Sequence, residues 1–301
     1  MAERILVTGV TGLVGRALAP ALAAEGYEVH GVSRDPARAL REVPALSAVH
    51  APEDVGGRLL SETGGVVSLA GEPVAGRWTA AKRRKIEASR VEGTRAIVEA
   101  IAAADPRPEV LVSASAMGFY GPRGEDELTE EEPAGTDFLA EVCVAWEREA
   151  ERARELGVRV VMPRIGLVLA ANGGALEAMM RPFRAGLGGP LGSGRQWWSW
   201  IHLDDLVRLL VAMVRDEAME GAYNAVSPAP IRQADFAKTL GAVLGRPAFM
   251  PAPAFALELA LGGFSAELLA SRRLVPARAR ARGFGFRHTD LEATLRELVR
   301  A

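Results

Sequence analysis

The chain has 301 residues, with 36 Lys and Arg against 38 Asp and Glu, a formal net charge of −2 and a single cysteine, Cys143. A charge so evenly balanced supplies no field for nucleic acid or an anionic membrane, so neither is expected as a partner. One cysteine excludes an internal disulfide and a cysteine-cluster metal site, and the four histidines (His30, His50, His202, His288) show no ligand spacing, so no metal is expected.

The first predicted element, Arg4–Thr8, is a short apolar run that reads as a buried strand. It begins within the first residues, so no leader peptide and a cytoplasmic location are expected. No apolar run approaches the roughly 20 residues of a membrane span. The strand runs into Gly9-Val-Thr11-Gly12-Leu13-Val14-Gly15, with glycines at intervals of three, and a helix is predicted over Leu13–Glu25. One glycine permits a tight turn, the next lets backbone approach a pyrophosphate, and the last allows close helix–strand packing. The helix N-terminus favours the anion. The motif follows a strand and opens a helix, which points to a Rossmann-type dinucleotide site.

The second strand, Glu28–Val32, ends in Ser33-Arg34. An acid here would bond the ribose 2′-hydroxyl of NAD and repel a 2′-phosphate. Arg34 can instead pair with that phosphate through its planar fork and Ser33 can donate to it, which points to NADP(H). Asp35, one step further, leaves NAD(H) open as an alternative.

Further strands are predicted at Gly65–Leu69, Glu109–Ser113 and Val158–Met162, and further helices at Thr79–Ala104 and Phe138–Leu156. This alternation predicts an α/β fold with a doubly wound parallel sheet. Residues 1–230 form the cofactor domain, with 170–200 contributing to a smaller C-terminal substrate lobe, 231–301. That lobe opens on a helix at Gln233–Leu244, followed by Pro247, Pro251 and Pro253. In the Lys82–Lys85 and Glu125–Glu132 charge runs we read solvated surface.

The glycine loop resembles the extended short-chain dehydrogenase/reductase superfamily. Ser68-Leu-Ala-Gly-Glu72, Ser113-Ala-Ser-Ala-Met-Gly-Phe-Tyr120-Gly, the glycine-rich Gly186–Trp197, Trp200-Ile-His202 and the late Gly283-Phe-Gly-Phe resemble its atypical SulA-like nucleoside-diphosphate-sugar epimerase branch. The resemblance spans nearly the whole chain. It implies that Leu69, Ala70 and Gly71 pass the cofactor as backbone, that Arg90 contacts it from the next helix, and that Leu167 borders the nicotinamide. It also implies an epimerase-like C-terminal domain whose arginines (Arg272, Arg273, Arg278, Arg280, Arg282) lie where related enzymes bind a sugar-nucleotide diphosphate, with surface charge as their commoner explanation.

One feature of the superfamily is missing. Its Tyr-x-x-x-Lys pair places both side chains on one helix face, where the lysine charge lowers the tyrosine pKa. The three tyrosines here, Tyr27, Tyr120 and Tyr223, are followed four residues on by Gly31, Gly124 and Ser227. On the helix that should carry the pair, alignment on Trp146-Glu147 puts Leu139 and Cys143 in its place. Tyr120, Glu141, Cys143 and His202 are the candidates for a relocated acid/base, Tyr120 first by position, with support of the turn as its other role. Trp197, Trp198 and Trp200 either line a ligand pocket or seal the lobes together. The expected function is NADP(H)-dependent oxidoreductase or epimerase chemistry on a small hydroxyl, carbonyl or nucleotide-sugar substrate, with a non-catalytic cofactor sensor or interaction protein as the alternative.

Overall fold

The computed structural model describes residues 3–300. Met1, on which the expectation of no leader peptide partly rests, lies outside the described residues. At the centre is an all-parallel sheet built from β1 (Arg4–Thr8), β2 (Glu28–Val32), β3 (Ala48–His50), β4 (Gly65–Ser68), β5 (Val110–Ser113), β6 (Arg159–Ile165) and β7 (Gly221–Ala225). Their order is β7-β6-β5-β4-β1-β2-β3, with the two-residue strand Ser115–Ala116 alongside β6. The chain therefore reverses direction across the sheet between β1 and β4, and a crevice opens outside their carboxyl ends. Register places Thr8 beside Ser68 and Ser68 beside Ser113, so the strand ends are level at that crevice.

The alternation of side chains along each strand feeds two separate cores. Ile5 and Val7 face α1 (Leu13–Ala24) and α6 (Leu203–Arg215), where Leu18, Leu22, Leu206 and Leu210 pack on them. Leu6, Val66, Leu111 and Val160 face the other way onto Ile97, Val98 and Ile101 of α3 (Ala80–Ala102) and Ala150 of α4 (Phe138–Glu151). Strands covered on both faces read as continuous Val/Ile/Leu runs, which is why they were legible.

Several elements lacked such a signal. The helix α2 (Pro36–Glu42) is only seven residues long, although Asp35 caps it and Pro36 opens it. The strand β3 has three residues, and β7 reads Gly-Ala-Tyr-Asn-Ala, held at the sheet edge by pairing with β6. The helix α5 (Gly174–Arg184) contains Pro182. The predicted helix over Phe138–Leu156 changes to a 3-10 turn at Arg152.

The lobe packs around a third core. Leu176, Met180 and Phe183 of α5 meet Trp198, Trp200, Phe236 and Leu240 of α7 (Gln233–Leu244), and Leu291, Leu295 and Leu298 of α11 (Leu291–Arg300). Between these last two helices lie α8 (Ala254–Leu261), α9 (Phe264–Leu269) and α10 (Ala277–Ala281). Among the described residues no helix is long and apolar enough to cross a membrane.

Candidate functional site

The glycine loop is shaped by contacts that admit no side chain. Gly9 has φ +67°, and a Cβ there would lie 2.9 Å from the Ala70 backbone nitrogen. A Cβ on Gly15 would come within 2.4 Å of the Gly9 carbonyl oxygen. Gly12 is the N-cap of α1, bears no capping side chain, and no acid occupies the first turn. The N–H groups of Leu13, Val14 and Gly15 thus open the helix without intrahelical acceptors, an arrangement suited to a phosphate. The Arg16 guanidinium bonds the Thr11 carbonyl at 2.7 Å and braces the loop from below. Across the crevice, Thr8 Oγ1 accepts from the backbone N–H of both Leu69 and Ala70 at 3.1 Å, fixing the β4 exit against the loop.

At the end of β2, Arg34 is exposed, and Ser33 Oγ is 3.2 Å from the Asp35 backbone nitrogen. The Asp35 carboxylate accepts from the Arg38 N–H at 3.0 Å and caps α2. The acid that left NAD(H) open is therefore engaged in holding a helix, while Arg34 remains available. Its charge reaches Glu72, whose carboxyl is held below its ordinary pKa first by the Lys82 hydrogen bond and also by neighbouring cations, Arg34 among them.

Arg90 lies against Gly71: a Cβ on that glycine would be 3.4 Å from the guanidinium carbon. One guanidinium nitrogen donates to the carbonyls of Glu72 and Ile86, both at 3.1 Å, and the group stacks 5.3 Å from the Trp146 ring centre. Leu167 begins the short strand Leu167–Leu169, which pairs in parallel with Trp200–His202 and joins the sheet end to the lobe. Thus the glycine loop, the β4 exit and Arg90 meet at one crevice, with Arg34 at its β2 side.

The catalytic-pair face of α4 is closed. Leu139 and Cys143 pack on the turn Met117–Tyr120, where a Cβ on Gly118 would meet Leu139 Cβ at 3.1 Å and Cys143 Sγ at 3.8 Å. Burial pushes the Cys143 thiol up to about 12, leaving it protonated at neutral pH. Glu141 is exposed on the far side of the helix. Glu147, one turn beyond Cys143, holds Arg164 through two 2.9 Å contacts and accepts from Ser115 Oγ at 2.6 Å.

Tyr120, the first candidate for a relocated acid/base, ends the 3-10 turn Met117–Tyr120. It is fully buried, its hydroxyl donates to Asn224 Oδ1 and accepts from Arg164, and burial pushes its pKa to about 12. This geometry fits its other expected role, support of the turn. His202 likewise caps α6 through Nδ1, which accepts from the Asp204 N–H at 3.0 Å.

Other expectations change in three dimensions. Trp198 and Trp200 lie in the lobe core with their indole N–H groups on the Leu268 and Ala229 carbonyls, so they seal rather than line. Trp197 sits between Arg232 and Arg273, 4.0 and 4.9 Å from its ring. The acidic run is not all solvated: Glu130 is buried and accepts the N–H groups of Asn224 and Arg278. The histidines, scattered in sequence, pair in space, His30 with His50 at 2.9 Å and His202 stacked on His288. The latter pair and Glu297 place possible ligand atoms within 4.8 Å of one another. Stacked rings aim their nitrogen lone pairs in parallel rather than at one point, and the Nδ1 of His202 is already an acceptor, so this cluster is a poor cation site.

The His202-Leu-Asp204-Asp205 run favours a structural role for both acids at a helix N-terminus, which Asp205 has, but its distant partners could not be read from the sequence. Fully buried, Asp205 accepts the backbone N–H groups of Arg287 and His288 and a guanidinium N–H of Arg208, tying the late Gly-Phe-Gly-Phe segment to α6. The His-x-Asp-Asp run was the available signal, but the partner lies 82 residues away.

Comparison with known proteins agrees with this geometry. The sequence matches the NAD dependent epimerase/dehydratase family over residues 5–225 and a domain of unknown function, DUF1731, over residues 252–298. The epimerase family protein SDR39U1 homolog, chloroplastic, of Arabidopsis thaliana is 38% identical over 300 residues, covering 98% of this chain and 86% of the relative. The epimerase family protein YfhF of Bacillus subtilis is 34% identical, covering 98% of this chain and 97% of the relative. A crystal structure of human epimerase family protein SDR39U1 (isoform 2) with NADPH has a TM-score of 0.87 at 33% identity, covering 99% of each chain.

Proposed function

The chain belongs to the NAD dependent epimerase/dehydratase family, and from that membership and its crevice we propose that it binds NADP(H) and acts on a small hydroxyl or carbonyl compound. The observation that carries this reading is the uncapped N-terminus of α1 behind Gly9, a cradle that a single Cβ would fill. The N–H groups of Leu13, Val14 and Gly15 bind the pyrophosphate, and Arg34 and Ser33 take the 2′-phosphate. Leu69, Ala70 and Gly71 form the wall along which the cofactor lies, with Arg90 behind it and Leu167 toward the nicotinamide. The NADPH-bound human relative supports this assignment. Bound cofactor supplies a hydride at the nicotinamide C4. The chain's own part is to bind, to orient and to exclude water, because Leu139 and Cys143 cannot act as a phenol and ammonium pair.

A second reading, a non-catalytic NADP(H) sensor, is favoured by the same apolar pair. NADPH consumption across a panel of carbonyl compounds and nucleotide sugars tests the two. Turnover of any member supports the enzyme, whereas tight NADPH binding with no turnover on the whole panel supports the sensor.

A further inference from the structure

Resting on the NADP(H) reading, we infer that the substrate is an apolar carbonyl or hydroxyl compound rather than a nucleotide sugar, and that its hydrophobic end is held by residues 247–261. This stretch carries one charged side chain, Glu258. The helix α8 within it buries no residue, and Phe249, Phe255 and Leu259 are 74%, 75% and 76% exposed. A helix apolar all round is ordinarily buried, and an exposed apolar patch in a folded chain marks a binding surface.

The position of the stretch says what covers it. On one side, the Leu261 carbonyl accepts from the Trp78 N–H at 3.3 Å and the Leu259 carbonyl from Arg77, in the loop that leaves β4 past Leu69–Gly71. On the other, the Met250 N–H donates to the Gly188 carbonyl at 3.1 Å and the Ala252 N–H to Pro190 at 2.9 Å, joining it to the loop after α5. The first turn of α5 rests on the glycine loop: a Cβ on Gly174 would lie 2.8 Å from Leu13 Cδ2. The apolar stretch is thereby tied to elements on both sides of the cofactor crevice, the loop after β4 and the loop after α5.

Four of the five arginines that would meet a diphosphate are engaged elsewhere. Arg272 is buried, with Glu267 at 2.8 Å and the Gly121 carbonyl at 3.2 Å. Arg278 donates to the Ala222 and Glu220 carbonyls, Arg282 to the Ala218 carbonyl, and Arg273 lies over Trp197.

The test uses the full chain loaded with NADPH and a series of methyl ketones, 2-heptanone, 2-nonanone and 2-undecanone, with UDP-glucose as the competing chemistry. The dissociation constant is expected to fall with each added methylene, by at most about fourfold per group fully buried. Phe255→Asp and Leu259→Asp, both at exposed positions, are expected to weaken 2-undecanone at least about tenfold by the same area argument and leave NADPH affinity unchanged. A flat ketone series with NADPH still bound, or tighter binding of UDP-glucose than of 2-undecanone, overturns the inference alone. So does a concentration-dependent dimer that Phe255→Asp dissociates and that binds no ketone. Failure to bind NADPH overturns the cofactor reading as well.

Discussion

The Tyr120 hydroxyl donates a 2.7 Å hydrogen bond to Asn224 Oδ1, joining the turn after β5 to the edge strand β7 across 104 residues of sequence. Because Arg164 also donates to this oxygen, the hydroxyl completes a buried network. Tyr120→Phe leaves both partners short of a bond and is expected to cost about 1–3 kcal/mol of stability. Urea unfolding reads that loss, and NADPH affinity of the folded variant is expected to match wild type. An intact fold with turnover reduced a hundredfold would instead make Tyr120 the acid/base.

Arg34 is expected to set cofactor choice. Loss of a charge-assisted hydrogen bond costs about 1.5–3 kcal/mol, so Arg34→Ala should weaken NADPH roughly 10- to 150-fold. NADH affinity should hardly change, since NADH lacks the phosphate. Equal weakening of both cofactors would assign Arg34 to general electrostatics instead.

Gly9→Ala meets two obstacles, a positive φ and a 2.9 Å approach to the Ala70 nitrogen. The left-handed backbone alone costs about 1–2 kcal/mol for an L side chain, and the contact must also push the β4 exit away. Lowered stability together with loss of NADPH binding is expected in thermal melts with and without cofactor. Unchanged binding would show that the loop does not hold the pyrophosphate.

The stack of His202 on His288, ring centres 3.7 Å apart, makes stability pH-dependent. Burial first, and then His288, lower the His202 pKa, while Glu297, Asp204 and Asp205 face the pair and oppose the shift. The unfolded chain therefore binds a proton here at higher pH than the native state. This contribution is fully present above the ordinary histidine value of about 6.5 and is lost as pH falls from there toward the lowered native value. The Tm should drop between pH 7.5 and 5.5, and less so in His202→Asn, which keeps a side-chain acceptor for the α6 N-cap. An identical drop in both proteins would assign the effect to other groups.

The sequence made legible what depends on local pattern. Ile5-Leu6-Val7 reads as a strand because both faces are buried, and Gly9, Gly12 and Gly15 read as a cradle because each spacing has a backbone reason. Hidden from it was whatever depends on a distant partner. Glu130 looks solvated until Asn224 and Arg278 arrive from 94 and 148 residues away. Asp205 looks like an ordinary first-turn acid until the tail returns to it. Trp198 and Trp200 alternate correctly with Ile201, but which face is core depends on α7 and α11. The closed face of α4 was half visible: Leu139 and Cys143 could be named from the chain, but not their contact with Gly118.

Equilibrium titration of the full chain with NADPH and with NADH, read by calorimetry, bears most directly on the claim that this crevice is an NADP(H) site. The account predicts saturable binding of one NADPH per chain, at least about tenfold tighter than NADH from the Arg34 contact. Equal or tighter binding of NADH, or no binding of either, would contradict it.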